Sequence, residues 1–385
     1  MEQLLGFMCP GKEDWVWHLL KSIYRVKQAS HIWNKTFNSA ILRWNFVHLS
    51  CEQCVYIHCS PTGTIIFSVH VNDIFSAASS AAENDRFTEL LKSKWEISEL
   101  GPAKFTLRIT FSHDHAACTI TLSQTAFIDK IVNCFNLSDT HPCDTPMVAG
   151  LTLRRTDKTI PIPPQVMAWQ ACTPYHTLVG ALNYLAIGTQ LDIAFTIGCL
   201  SSFMDCYTPK HWSTAICIIC YLKGTRMLGL ALGGTNPIRL VGYSDSDYTN
   251  CAKTSHSISG YCFSLGSGTI SWMSKKQCVV ADSSCYAEYI TLHDSSHEVA
   301  FLQELLAGLH FGTPYPTPIH CDNNVVHRLA EDHIGHPNVK HIWVKFHHIH
   351  KLVDDGSVSL LHIHPVDNTA DILTKPMAWG DFLCL

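Results

Sequence analysis

The sequence predicts an α/β protein of two or three domains. Three observations lead there. From Ile238 onward three strand-like runs follow one another, then a helix, a strand, helices, a strand and a short helix, which is the order of a mixed sheet covered by helices. Further forward, residues 55–71 read as a β-hairpin set between helical patterns. Finally, 385 residues that are 46% apolar and 15% charged can fill more than one core and carry no signature of disorder.

The elements follow in chain order. Residues 13–45 read as helix-rich, because Trp15, Leu19, Leu20, Ile23 and Tyr24 recur at helical spacing. Val55–His58 and Ile65–Val71 are strand runs joined by the turn Ser60-Pro61-Thr62-Gly63. Ala81, Phe87, Leu90 and Leu91 mark a helix near 80–95. Two strands are expected at 104–111 and 117–122, with a helix at 124–135. Prolines 142, 146, 161, 163, 164 and 174 make residues 138–175 loop-like. Apolar helices follow at about 176–204 and 208–223. Leu240–Ser244 is a strand, and Ser259–Leu265 with Thr269–Met273 forms a hairpin around Gly266-Ser267-Gly268. A long helix starts with Ser283 or Ser284 as its cap and runs to about Leu309. The strand Pro318–Cys321 ends on Asp322. A helix follows it, then another near 340–354, a strand at Val358–Ile363 and a short helix near Thr369–Lys375.

Charge divides the chain unevenly. Before Pro237 there are 18 basic and 17 acidic residues; after it there are 9 basic and 15 acidic. The formal net charge of −5 excludes a generic polybasic nucleic-acid binder but leaves room for a local basic groove. No apolar run is long enough to span a membrane, and the start shows no secretory signal, so an intracellular protein, cytoplasmic or nuclear and not secreted, is expected. The 18 cysteines then default to reduced thiols, including the C-x-x-C pairs Cys51/Cys54 and Cys217/Cys220. His341, His347, His348 and His350 form the densest of the histidine groups. His347 and His350, at i,i+3, could share a metal, although a solvated basic helix face is the plainer reading.

Four acids stand where strands end or helices begin: Asp245, Glu288, Asp322 and Asp371. Four carboxylates cannot share a dry pocket unless cations neutralise them. Oxygen ligands of this kind suit Mg²⁺ or Mn²⁺, and two such ions about 4 Å apart serve phosphodiester cleavage. By spacing alone the plainer reading is four ordinary surface acids among 32.

Ordered motifs narrow the choice. Residues 238–376 resemble the RNase H domain of copia-type retrotransposon Pol polyproteins. Gly242–Asp247 is similar to the family's GYSDAD, Ser257–Tyr261 to STSGY, Ile270–Gln277 to ISWSSKKQ and Ser283–Tyr289 to SSTEAEY. Cys321-Asp322-Asn323 matches CDN, Val339–Ile342 resembles TKHI and Ala370–Pro376 resembles ADIFTKP. The resemblance implies a mixed five-stranded sheet with flanking helices. It also implies that Asp245, Glu288, Asp322 and Asp371 are the catalytic, metal-holding carboxylates.

The resemblance continues upstream. Pro10–Asp14 and Lys21–Ala29 are similar to PGKED and KSLYGLKQA of the same family's reverse transcriptase, and Leu100–Phe105, Leu122–Gln124 and Thr145–Met147 follow in family order. Leu178–Leu185 and Tyr221–Thr225 match the connecting segment. The implied domains are a truncated palm and thumb remnant at 1–147, a linker and helical connection at 148–236, and an RNase H-like domain at 237–385. The polymerase signature YVDD stands here as His70-Val71-Asn72-Asp73. Asn72 is neutral where a carboxylate would hold a cation, and the family's other palm aspartate lies upstream of the segment that Met1-Glu2-Gln3 matches. No polymerase activity is expected, and Asp73 reads as a turn residue between strands.

The expected activity is thus cleavage of the RNA strand of an RNA–DNA hybrid with two Mg²⁺ (or Mn²⁺) ions, with no small-molecule cofactor and no membrane. Other parts of the polyprotein are expected partners. Lys275, Lys276, Lys340 and Lys345 are candidate phosphate contacts, as solvated surface lysines would equally be. The alternative is an inert transposon relic that at most binds nucleic acid.

Overall fold

The computed structural model describes residues 2–4, 6–21, 23, 26–154, 163–249, 255–312, 316–324 and 343–382. Mixed α/β architecture is what it shows, with three sheets and helices packed on them. The chain divides into two compact units, Met1–Glu99 with Glu304–Phe311, and Leu100–Gln303 with Gly312–Leu385.

The first unit is built on an antiparallel sheet of β1 (Val47–His48), β2 (Val55–Ser60), β3 (Gly63–His70) and β4 (Asp73–Ala78), in that spatial order. Helices α1 (Ala29–Arg43) and α2 (Ala81–Lys92) bury Phe37, Ile41, Phe87 and Leu91 against Tyr56, Ile65 and Phe67 of the strands. Alternate residues of β3 face this core, as a half-buried strand requires. Ser80 caps α2 by accepting the Glu83 N–H at 3.3 Å. Of the stretch expected to be helix-rich, 13–45, the helix among the described residues is α1. Trp15 and Leu20 are 63% and 91% exposed, so their helical spacing has no core to face within the described residues.

The second unit contains two sheets. Strands β5 (Phe105–Thr106), β6 (Ile109–Asp114), β7 (Thr119–Ser123) and β8 (Leu230–Gly233) form an antiparallel sheet in chain order. Beside it lies a helical core in which α3 (Thr125–Cys134), α5 (Tyr175–Gly188), α6 (Ala194–Ser201) and α7 (Pro209–Gly224) bury Ile128, Tyr175, Leu178, Leu182, Ile218 and Tyr221. Two expectations need correction here. The helix expected over 176–204 is interrupted after Gly188, where Thr189 donates to Gln124 Oε1 at 3.0 Å and Gln190 to the Leu228 carbonyl at 3.3 Å. The loop expected over 138–175 contains α4 (Pro164–Cys172), with Pro164 in the first turn, where proline is tolerated.

The five-stranded sheet has the order β11-β10-β9-β12-β13, formed by β9 (Leu240–Asp247), β10 (Ile258–Leu265), β11 (Gly268–Lys276), β12 (Thr317–Cys321) and β13 (Val358–His362). Strands β9, β10 and β11 are antiparallel, while β12 runs parallel to both β9 and β13. This is the mixed five-stranded sheet that the resemblance implies. Helix α8 (Ser284–Gly308) follows β11, and α9 (Trp343–Asp354) precedes β13. Gly242 in β9 is required by close packing: a Cβ there would stand 2.4 Å from Cε1 of the fully buried Phe263. Cys217 and Cys220 ride on α7 as free thiols. His347 is exposed, but His350 is 6% exposed, so these two do not form the solvated face expected of them.

Candidate active site

The second unit gathers the four acids from four separate elements. Asp245 lies in β9 and pairs in register with Gly260 of β10. Glu288 is the fifth residue of α8, whose start is capped by Ser283 accepting the Tyr286 N–H at 3.3 Å. Asp322 directly follows β12. Asp371 sits in a short 3-10 turn, Thr369–Leu373. The parallel pairing of β12 with β9 brings the ends of both strands to one side of the sheet.

Polar contacts hold three of the four carboxylates in place. The Ser246 N–H donates to Glu288 Oε1 at 3.3 Å. The Thr374 hydroxyl donates to Asp245 Oδ2, and Lys375 Nζ lies 2.7 Å from Asp371 Oδ2. Glu288, Cys321 and Asp322 each place a ligand-type atom within 4.8 Å of the others. Asn368, fully buried, ties the 3-10 turn to the sheet. Its Nδ2 donates to the Ser244 carbonyl at 3.1 Å, and its Oδ1 accepts the Ala370 N–H at 3.2 Å. Behind α8, Gln277 Nε2 donates to the Ser259 hydroxyl at 3.0 Å and to the Ala287 carbonyl at 2.9 Å, fixing the turn that carries Glu288.

Crowding is visible in the proton affinities. Asp245 is pushed up to about 6 by burial and by the Asp371 carboxyl, against the pull of Thr374 and Lys375. Glu288 is raised well above the usual carboxylate range by burial, then by Asp245 and Asp322. Burial and then the Asp245 charge raise Asp322, and burial with the Asp322 charge raises Asp371, while Lys375 pulls both down and a hydrogen bond with Asp245 also lowers Asp371. Burial and the surrounding carboxylates raise the Cys321 thiol, so it stays protonated beside them. Glu288 Oε2 and Asp371 Oδ1 are buried with no hydrogen-bond donor among the described residues. Such orphaned oxygens are what a hard divalent cation would take.

Lys275 and Lys276 are exposed at the end of β11, in the same cross-strand rows as Ser246 and Asp247. Lys340 and the side chain of Lys345 lie outside the described residues. Asn72 and Asp73 stand exposed at the β3–β4 hairpin, where Val71 has φ +57° and Asp73 pairs with His70, so Asp73 borders the turn as expected. Lys375, Thr374, Asn368 and Gln277 were not singled out from sequence. All but Asn368 lie inside the quoted motifs, and the i,i+4 spacing of Asp371 and Lys375 was a readable signal.

A family model described as reverse transcriptase (RNA-dependent DNA polymerase) matches residues 1–149. The retrovirus-related Pol polyprotein from transposon TNT 1-94 of Nicotiana tabacum is 33% identical over 390 residues, covering 100% of this chain and 29% of that protein. The Pol polyprotein from transposon RE2 of Arabidopsis thaliana is 30% identical over 98% of this chain and 25% of its own length. The chain therefore spans less than a third of these relatives. Among solved structures, LC11-RNase H1 in complex with RNA/DNA hybrid covers 35% of this chain and 94% of its own, at 15% identity and a TM-score of 0.27. With the motifs in family order along its whole length, the chain belongs to the copia-type retrotransposon Pol polyproteins, with a reverse transcriptase region over residues 1–149.

Proposed function

We propose that this chain is a divalent-metal-dependent ribonuclease that hydrolyses the RNA strand of RNA–DNA hybrids, and that its polymerase part is inactive. The observation that carries the reading is the meeting of Asp245, Glu288, Asp322 and Asp371, two of them with orphaned buried oxygens. The donor set fits hard cations, because the four motif acids offer carboxylate oxygens and two of those oxygens are buried without a donor. Asp245, Glu288, Asp322 and Asp371 would hold two Mg²⁺ or Mn²⁺ ions. When bound, such ions activate the attacking water and stabilise the leaving oxygen of a phosphodiester.

The chain's own residues prepare that chemistry. Thr374 and the Ser246 N–H orient one oxygen each of Asp245 and Glu288. Lys375 keeps Asp371 aligned and offsets part of the negative charge while no cation is bound. Lys275 and Lys276 would contact the backbone, and hybrid selection would rest on groove shape and 2′-OH groups rather than base reading. Within this proposal the chain has three parts, 1–147 from the polymerase, 148–236 as a connection and 237–385 as the nuclease. The neutral Asn72 at the exposed hairpin supports loss of polymerase chemistry, since amides bind cations more weakly than carboxylates.

The test is cleavage of a labelled RNA–DNA hybrid in Mg²⁺ or Mn²⁺ by the wild type and by Asp322→Asn. The wild type is expected to cut and the variant to lose roughly a hundredfold or more in rate. Neither should extend a primer. Equal cleavage by both proteins overturns the site, and salt-dependent binding without any cleavage favours an inert relic.

A further inference from the structure

Between the helical core and the turn that carries Asp371 lies a small cleft. Asp192, Phe195 and Thr196 line it from one side, and Ile372, Lys375 and Pro376 from the other. Asp192 belongs to a short 3-10 turn, Leu191–Ile193, which leads into α6 and packs against the turn of Asp371. Its Oδ2 accepts the Tyr221 hydroxyl, while its Oδ1 is buried with no hydrogen-bond donor among the described residues. Burial raises this carboxyl, as it does where no cation stands beside a negative charge.

Lys375 borders both the cleft and the acids. It lines the cleft, and its Nζ lies 2.7 Å from Asp371 Oδ2. Asp371, Asp245 and Asp247 favour its charged form, and it in turn lowers Asp322. The ammonium therefore sits in the field that would hold a divalent ion. A cation entering at Asp371 meets a like charge at short range, and that repulsion is strong in a site shielded from water. The lysine stem is flexible, so the ammonium can leave Asp371 while the backbone stays in place. Asp192 is the acid that the cleft presents to it.

We propose that Lys375 is a movable counter-cation: it neutralises Asp371 while the carboxylates are empty and turns to Asp192 when divalent ions bind. The proposal rests on the carboxylates holding such ions. Lys375 and Asp192 are then positioning residues, and part of the metal affinity is set by an acid far outside the motifs that carry the ligands. The two residues act with opposite signs. Without the lysine charge the ions have no competitor and bind more tightly. Without the Asp192 charge the displaced ammonium has no counter-charge, and the ions bind more weakly. Once the lysine is gone, Asp192 has nothing to receive and its loss changes nothing.

The experiment measures Mn²⁺ binding to the untagged full chain from the electron paramagnetic resonance signal of free Mn²⁺, which needs no turnover. Wild type is compared with Lys375→Met, Asp192→Asn, the double variant and Asp322→Asn. Asparagine keeps an acceptor for Tyr221 and methionine keeps the apolar stem; melting curves at saturating Mn²⁺ check that each variant folds. Lys375→Met is expected to bind Mn²⁺ about tenfold more tightly and Asp192→Asn about threefold or more weakly, with the double variant matching Lys375→Met. Unchanged affinity in Lys375→Met or in Asp192→Asn overturns the proposal, so either variant decides it alone. An Asp192→Asn loss that persists in the double variant also overturns it, since a merely structural role would survive removal of the lysine. No Mn²⁺ binding by wild type, or equal binding by Asp322→Asn, overturns the carboxylate reading itself and this proposal with it.

Discussion

His211 shows how one buried group makes stability depend on pH. It sits in the first turn of α7, where its Nδ1 faces the Thr208 N–H at 3.0 Å and the Thr208 hydroxyl at 2.7 Å. It is 2% exposed, and burial, aided by Lys210, pushes it down to about 4. The unfolded chain takes this proton near pH 6.5 and the fold only near 4. The contribution is therefore complete above pH 6.5 and lost as pH falls, by up to about 1.4 kcal/mol per pH unit between those values. Urea midpoints of wild type and His211→Asn, compared at pH 7 and 4.5, should converge by roughly 2 kcal/mol as acid is added. Parallel curves would refute this assignment. At the same scale, the carboxylates were legible in the sequence because each lies within a recognisable motif, in or beside a regular element. Thr374, Asn368 and Gln277 were not, because a hydroxyl or amide declares its role only through a partner brought near by folding.

Among the elements, the β9–β10 pair decides where Asp371 can sit. Gly260, opposite Asp245, lies under the 3-10 turn. A Cβ there would stand 2.6 Å from Thr374 Cγ2, 2.8 Å from Leu373 Cβ and 3.2 Å from the Ala370 carbonyl. Gly260→Ala must therefore lift the turn that carries Asp371. A loss of about 1–3 kcal/mol in stability is expected from overpacking, together with a fall of roughly tenfold or more in hybrid cleavage. Unchanged cleavage would show that the turn can move without disturbing the reaction. The elements of the five-stranded sheet were readable because their strands are apolar, alternating and bounded by turns. β8 was not, since Leu230–Gly233 offers only four residues and takes its identity from pairing with β7. The periodicity of 13–28 misled in the opposite way, because helical spacing forms a helix only where a core receives the apolar face.

Charge acts over the whole molecule. An acidic chain meets a polyanion through a small number of cations, and Lys275 and Lys276 are the exposed pair beside the carboxylate end of the sheet. Hybrid affinity should fall with salt, and each lysine that contacts a phosphate should contribute roughly 0.7–0.9 to the slope of log K against log salt. The double variant Lys275→Ala/Lys276→Ala is expected to reduce that slope by about 1.5, read by binding of a hybrid with Ca²⁺ in place of Mg²⁺. An unchanged slope would place the contacts elsewhere.

The pairing of β7 with β8 also has a consequence in time. During synthesis Thr119–Ser123 leaves the ribosome about a hundred residues ahead of Leu230–Gly233, its outer neighbour. At common elongation rates that interval is roughly 5–20 s, during which β7 offers an unpaired edge to any passing strand. A nascent chain stalled in this window is the form most exposed to aggregation, and arrival of Leu230–Gly233 ends the exposure.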